Sequence, residues 1–227
     1  MGYVRSYYAW LKENQHVGAS EVNPFHLDDI QWPKRLTEKQ SYLPFAVSDV
    51  VKLRQAAKAI GDTVLVQFID IAQFTGMRLS EVAQIGAVGS IVSVDGVQCL
   101  KVREDAKTDA GSGRLVPIAQ TLADRVPLKQ LPAPPSPDYA GQDVGKRFGR
   151  LKSKLGYGKQ HVFHSIRKTA ATVFEQAGVA EGITADIVGH EKQTITYGLY
   201  SGGTSVKQRQ EAIVEFEKLM LAKEVIE

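Results

Sequence analysis

Apolar positions recur at helical spacing along most of the chain and switch to alternation in one central stretch. From residue 48 onward Val50, Leu53, Ala57 and Ile60 follow at intervals of three or four until Gly61 interrupts them, predicting a helix that Ser48 opens as N-cap. A second helix is predicted over 64–74, ended by Thr75-Gly76, and a third over 79–85. The period then falls to two over 91–94, 97–102 and 115–118, with breaks at Asp95-Gly96 and between Asp109 and Gly113. Such a pattern predicts a small three-stranded antiparallel sheet. Helical spacing returns over 143–155, 165–177, 182–188, briefly near Thr194, and over 205–222, where Ala212, Ile213, Phe216, Leu219 and Met220 share one side. The expected fold class is α+β, mainly α.

Two other stretches bear on organisation. Residues 3–13 read as a helix with Tyr7, Trp10 and Leu11 on one side, followed by a polar segment containing Asn23-Pro24-Phe25. Pro132, Pro134, Pro135 and Pro137 mark a loop inside one domain. A chain of 227 residues can hold one large domain, or one domain plus a fragment of a second. Its 43% hydrophobic and 23% charged residues suit a packed core, and no stretch approaches the roughly 18 apolar residues of a membrane span. Cys99 is the single cysteine, so no disulfide forms within the chain. The first ten residues lack a secretory h-region, and a cytoplasmic location is expected.

A net charge of +3 says little about partners, but its distribution says more. Lys146, Arg147, Arg150, Lys152, Lys154, Lys159, Arg167 and Lys168 follow one another with no acidic residue between them, while the tail after Gln210 is rich in glutamate. The basic block creates a local positive field of the kind that attracts nucleic acid, or else a solvated helix face.

Three segments set strong bases and nucleophile candidates at abrupt junctions. Arg78 lies between the Gly76 stop and a new helix, with Glu81 three residues on and able to brace it. His164-Ser165-Ile166-Arg167 opens a helix whose Ile166, Ala170, Val173, Phe174 and Ala177 form an apolar stripe, and a guanidinium beside an imidazole there suits a phosphate. Gly189-His190 follows a third helix, and Tyr197 and Tyr200 come shortly after, flanked by Gly198 and Ser201-Gly202-Gly203. A metal site fits poorly, since His161, His164 and His190 form no helical His-x-x-x-His pair and Cys99 is solitary.

The ordered set of Arg78, His164-x-x-Arg167, Gly189-His190 and a following tyrosine resembles the tyrosine recombinases of the phage-integrase type, over about residues 48–205. Lys107-Thr108, before the turn leading to Arg114-Leu115-Val116-Pro117-Ile118, resembles the lysine-bearing hairpin of that family. The resemblance implies a DNA breaking-rejoining fold, with residues 1–37 as the remnant of a core-binding domain and linker and 38–227 as the catalytic domain. It implies that Arg78 and Arg167 clamp the scissile phosphate, that His164 and His190 hydrogen-bond to it, that Lys107 protonates the leaving 5′ oxygen, and that Tyr200 attacks phosphorus. Many relatives carry the nucleophile nine residues after the Gly-His histidine; here Tyr200 stands at ten and Tyr197 at seven.

Further expectations follow from the same resemblance. The partner is double-stranded DNA at recombination sites of a phage or mobile element, bound by a homotetramer with DNA-bending accessory proteins, in the nucleoid of a bacterial cell. Lys146, Arg147, Arg150, Lys152, Lys154, Lys159 and Lys168 are expected on the DNA. No cofactor, metal or ATP is expected, because two arginines and two imidazoles supply the charge that phosphoryl transfer needs. A type IB topoisomerase, which shares the chemistry, and a DNA-binding protein without catalysis are the alternatives.

Overall fold

The computed structural model describes residues 2–18, 20–23, 41–86, 90–103, 112–128, 137–190 and 203–226. Two compact units divide the chain, Met1–Gln40 and Ser41–Glu227. The first contains α1 (Gly2–Glu13), where Tyr7 stacks on Trp10 and Trp10 on His16, with ring centroids 6.0 and 5.7 Å apart.

The second unit runs α2 (Val47–Ala59), α3 (Thr63–Thr75), α4 (Leu79–Val82), β1 (Ile91–Val94), β2 (Val97–Lys101), β3 (Leu115–Pro117), α5 (Gln120–Arg125), α6 (Pro137–Lys154), α7 (His164–Gln176), α8 (Glu181–Val188) and α9 (Val206–Ile226). It is mainly helical with a three-stranded antiparallel sheet of order β1-β2-β3, the class that the periodicity predicts. The register pairs Ile91 with Leu100 and Val94 with Val97, then Cys99 with Pro117 and Lys101 with Leu115.

α3 occupies the middle because its sequence is apolar nearly all round; Leu65, Ile69, Ile71, Ala72 and Phe74 are buried against the helices about it. α9 closes the core from the other side. Its Ala212, Ile213, Phe216 and Met220 are buried, and Phe216 stacks on Phe174 of α7 at 3.9 Å. One polar network crosses this core: Arg54 pairs with Asp70 at 2.7 Å, and Arg125 pairs with Glu224 at 2.7 Å while also facing Asp70. Burial raises the Asp70 carboxyl above its usual range despite Arg54 and Arg125 beside it.

Several boundaries differ from expectation. Ser48 does not cap α2; the helix begins at Val47 with Ala46 in the capping position, and Ile60 is exposed past its end. Asp62 caps α3, its carboxylate accepting from Leu65 N–H at 3.0 Å. α4 is a single turn, and Ala83 to Ile85 continue as tight turns. α5 has no counterpart in the periodicity because six residues are too few to show it. α6 starts at Pro137, a residue suited to the first turn of a helix, so that proline belongs to the helix and not to the loop. The expected short helix near Thr194 lies outside the described residues, as do 129–136 of the proline-rich loop.

Candidate active site

Four chain junctions meet at one place: the turn from α3 to α4, the entrance of β3, the start of α7 and the end of α8. Gly76 ends α3 with φ 63°, a left-handed value, and a Cβ there would lie 2.8 Å from the Val188 side chain of α8. Gly189 ends α8 with φ 75°, and a Cβ there would lie 2.9 Å from the Arg114 guanidinium carbon. Both glycines thus permit close approach of backbone to neighbours as well as the turn itself.

Arg78 occupies the capping position of α4. Glu81 reaches back to it as the spacing suggests: Oε2 accepts from the Arg78 backbone N–H at 2.8 Å and Oε1 from Nη1 at 2.9 Å. Arg78 Nη2 donates to the Gly189 carbonyl at 2.9 Å. The same carboxylate accepts two more bonds from Arg114, Nη1 to Oε1 at 3.0 Å and Nη2 to Oε2 at 2.6 Å. Arg114 Nε donates to Ile187 O at 3.0 Å. Burial alone would raise the Glu81 carboxyl, but Arg114 and Arg78 outweigh it and hold the group below its usual value.

Arg167 points inward from the first turn of α7 and is 2% exposed. It is buried, as are Ile166, Ala170, Val173 and Phe174 of the apolar stripe on the same helix, whereas His164, three residues earlier, is exposed. Its Nη1 donates to the carbonyls of Gly76, at 2.8 Å, and Val188, and its Nη2 to Gly189 O at 3.2 Å. Nε is buried and has no partner among the described residues. Burial, and then Arg78 beside it, push its pKa down to about 9, which still leaves it charged at neutral pH.

His164 and His190 feel the same cations. Burial on one side, then Arg167 and Arg78, lower the pKa of His164, with Glu81 opposing. The same causes in the same order, joined by His164 and Arg114, take His190 to about 4. Both imidazoles are therefore neutral at pH 7, each with one N–H to donate and one nitrogen to accept. Arg78 and Arg114 both bond to Glu81, and Arg167 feels the same carboxylate, so three guanidiniums share one negative group and cationic charge is left in excess. Such a cluster binds an oxyanion.

The sequence reading missed Arg114, whose position on a strand entrance gives no sign that its side chain crosses to Glu81 and α8. Lys107, Tyr197 and Tyr200 lie outside the described residues. Next to that segment, Thr204 donates through N–H and Oγ1 to Asp186 at 2.7 and 2.9 Å, and Arg209 donates to Thr204 O and Leu115 O. In the basic block, Arg147 pairs with Asp62 and Asp143, Lys152 donates to the carbonyls of Tyr157 and Gly158, and Lys168 to Ser41 and to Tyr42 O. Lys146, Arg150, Lys154 and Lys159 are exposed. Among the described residues no group of three His, Cys, Asp or Glu is placed to hold a metal ion, and no helix is long and apolar enough to cross a membrane.

No protein-family model and no curated protein matches the sequence. Among solved structures the fold is similar to that of the integrase from mycobacterium phage Brujita, with TM-score 0.52 and 20% identity, covering 98% of this chain and 74% of that one. The chain has an integrase-like fold.

Proposed function

We propose that residues 38–227 form the catalytic domain of a tyrosine recombinase, which cuts DNA through a 3′-phosphotyrosine and rejoins it to a different strand. The observation that carries this reading is the convergence of Arg78 from the α3–α4 turn, His164 and Arg167 from the start of α7 and His190 from the end of α8, with cations in excess of carboxylates. A scissile phosphate supplies the missing negative charge. The likeness to a phage integrase supports the reading at the level of fold.

The chemistry runs in line. The Tyr200 phenolic oxygen forms a bond to phosphorus as the bond to the 5′ oxygen breaks, and that oxygen takes a proton from Lys107. Neutral His164 is suited to accept the phenol proton. The guanidiniums of Arg78 and Arg167 offset the charge growing on the non-bridging oxygens. Attack by a 5′-hydroxyl on the phosphotyrosine reverses the sequence, so the phosphodiester is restored without ATP. The partner is double-stranded DNA of a phage or mobile element, held by four copies with accessory DNA-bending proteins. Exposed Lys146, Arg150, Lys154 and Lys159 are candidates for backbone contact; Arg147, Lys152 and Lys168 also hold the fold together.

Incubation with nicked duplexes that lose the 5′ fragment after cleavage tests this. A covalent protein–DNA adduct forming in EDTA is the expected result. DNA binding without any adduct would favour a non-catalytic role, and relaxation of supercoils without strand exchange would favour a type IB topoisomerase.

A further inference from the structure

We infer that Arg114 is a positioning residue of this site, holding Glu81 by both oxygens so that Arg78 remains available to phosphate. The inference rests on the proposed strand-transfer reading and extends it to a residue for which the sequence reading gave no role in the site.

Glu81 is 4% exposed at its side chain and Arg114 5%, so their pairing takes place away from water. The carboxylate accepts four N–H groups: one backbone and one side-chain donor from Arg78, and two side-chain donors from Arg114. Arg114 therefore has the bidentate fork geometry that arginine and carboxylate favour, and the Arg78 guanidinium has a single bond to the same group. Arg78 stays 23% exposed, with its second bond on Gly189 O. Without Arg114, two acceptor directions on Glu81 open in a buried setting, and the Arg78 guanidinium, already bonded to Oε1 through Nη1, is a donor within reach. Glu81 would turn to chelate it. The cation facing phosphate would then be neutralised where it is needed.

Arg114 also braces the turn that receives the other two arginines. Its Nε bonds to Ile187 O in the last turn of α8, and its guanidinium lies against Gly189, whose carbonyl accepts from Arg78 and Arg167. Its own carbonyl accepts from Val102 N–H at 3.0 Å, which fixes the root of the β2–β3 hairpin. A purely structural ion pair would need none of this, since a buried pair is weak support for stability and an apolar pair of similar volume often serves as well.

The test uses the full chain with Arg114→Gln, Arg114→Lys, Glu81→Gln and the double variant Glu81→Gln/Arg114→Gln. Arg114→Gln is expected to slow single-turnover adduct formation on nicked DNA by ~10²-fold, the size of losing one preorganised donor, with DNA affinity within about threefold of wild type. The double variant regains at least about tenfold of that rate, because a neutral amide in place of the Glu81 carboxylate no longer sequesters Arg78. Arg114→Lys, which keeps the charge and loses the fork, falls between. Histidine NMR titration without DNA shows the His190 pKa rising in Arg114→Gln. A wild-type rate in Arg114→Gln, losses that multiply in the double variant, or an unmoved His190 titration would each overturn the inference. If Arg114→Gln does not fold, wild-type activity in Arg114→Lys overturns it equally. A wild-type chain that forms no adduct sinks the strand-transfer reading instead, and the titration still reports whether Arg114 acts on the site.

Discussion

Arg78 and Arg167, from the α3–α4 turn and from α7, donate to one and the same acceptor, the carbonyl oxygen of Gly189, at 2.9 and 3.2 Å. The spacing between the two guanidiniums is thus set by a single peptide group at the end of α8. That peptide depends on a residue with φ 75° and no Cβ.

Gly189→Ala should therefore harm both fold and chemistry. The left-handed conformation costs a non-glycine residue about 1–2 kcal/mol, and the added methyl meets the Arg114 guanidinium. For a chain of this length that is a fall in Tm of roughly 2–8 °C, read by differential scanning calorimetry. Adduct formation should fall further than the stability loss explains. An alanine variant with wild-type Tm and wild-type adduct rate would show that the shared carbonyl does not space the arginines.

A second expectation concerns pH. An unfolded histidine takes up its proton near pH 6.5, roughly its ordinary value, whereas His190 in the fold resists down to about 4. Between these values the unfolded chain binds more protons, so the contribution of His190 to stability is intact above about 6.5 and is lost as pH falls towards 4. A bound dianion lifts the depressed histidine pKa values, and binding and protonation then favour one another. Thermal stabilisation by sulfate, against chloride at equal ionic strength, should grow as pH drops from 8 to 5.5. Equal stabilisation at both pH values would separate the histidines from the anion site.

The C-terminal helix gives a third. Deleting residues after Gln210 removes Ala212, Ile213, Phe216 and Met220, all buried within the same unit, so the expected outcome is loss of the fold. A folded monomer that merely fails to assemble on DNA is not expected. Phe216→Ala alone should cost about 3–5 kcal/mol, given its stacking on Phe174. Circular dichroism of the truncated chain decides: a native spectrum with a cooperative melt would mean that α9 is dispensable to the core.

How much of this was legible beforehand follows from the range of the interactions involved. Alternation over 91–102 and 115–118 was enough to place the sheet, since each residue's face follows from its immediate neighbours. The Arg78 to Glu81 brace was also legible, because three residues of a helix turn set it. Arg114 meeting Glu81 was not: the two are 33 residues apart, and no local period links a strand entrance to a helix start. The depth of Arg167 was hidden for a related reason. Its charge argues for solvent, and only the three carbonyls of Gly76, Val188 and Gly189 make burial tolerable.

The general acid has its own diagnostic. If Lys107 protonates the leaving 5′ oxygen, a bridging 5′-thio substrate, whose thiolate leaves without a proton, should restore cleavage to Lys107→Ala by ~10²-fold or more and do nothing for Arg167→Ala. Equal impairment of Lys107→Ala on both substrates would remove the lysine from that role.

The nucleophile is the last expectation, and spacing carries it. Tyr197 and Tyr200 are three residues apart, so in a helix they would share a face and direction would not separate them. Tyr197 comes seven residues after His190 and Tyr200 ten, one more than in many tyrosine recombinases, and Gly198 between them can absorb the extra residue. Downstream, Thr204 is clamped on Asp186 of α8, the helix that ends at Gly189. Tyr200 stands four positions before that clamp, at most about 14 Å of extended chain, which tethers it to the helix presenting His190. Tyr200→Phe should bind DNA with wild-type affinity and form no adduct, and Tyr197→Phe should retain adduct formation. Peptide mapping of the phosphotyrosine to Tyr197 would overturn the assignment and leave the recombinase reading in place.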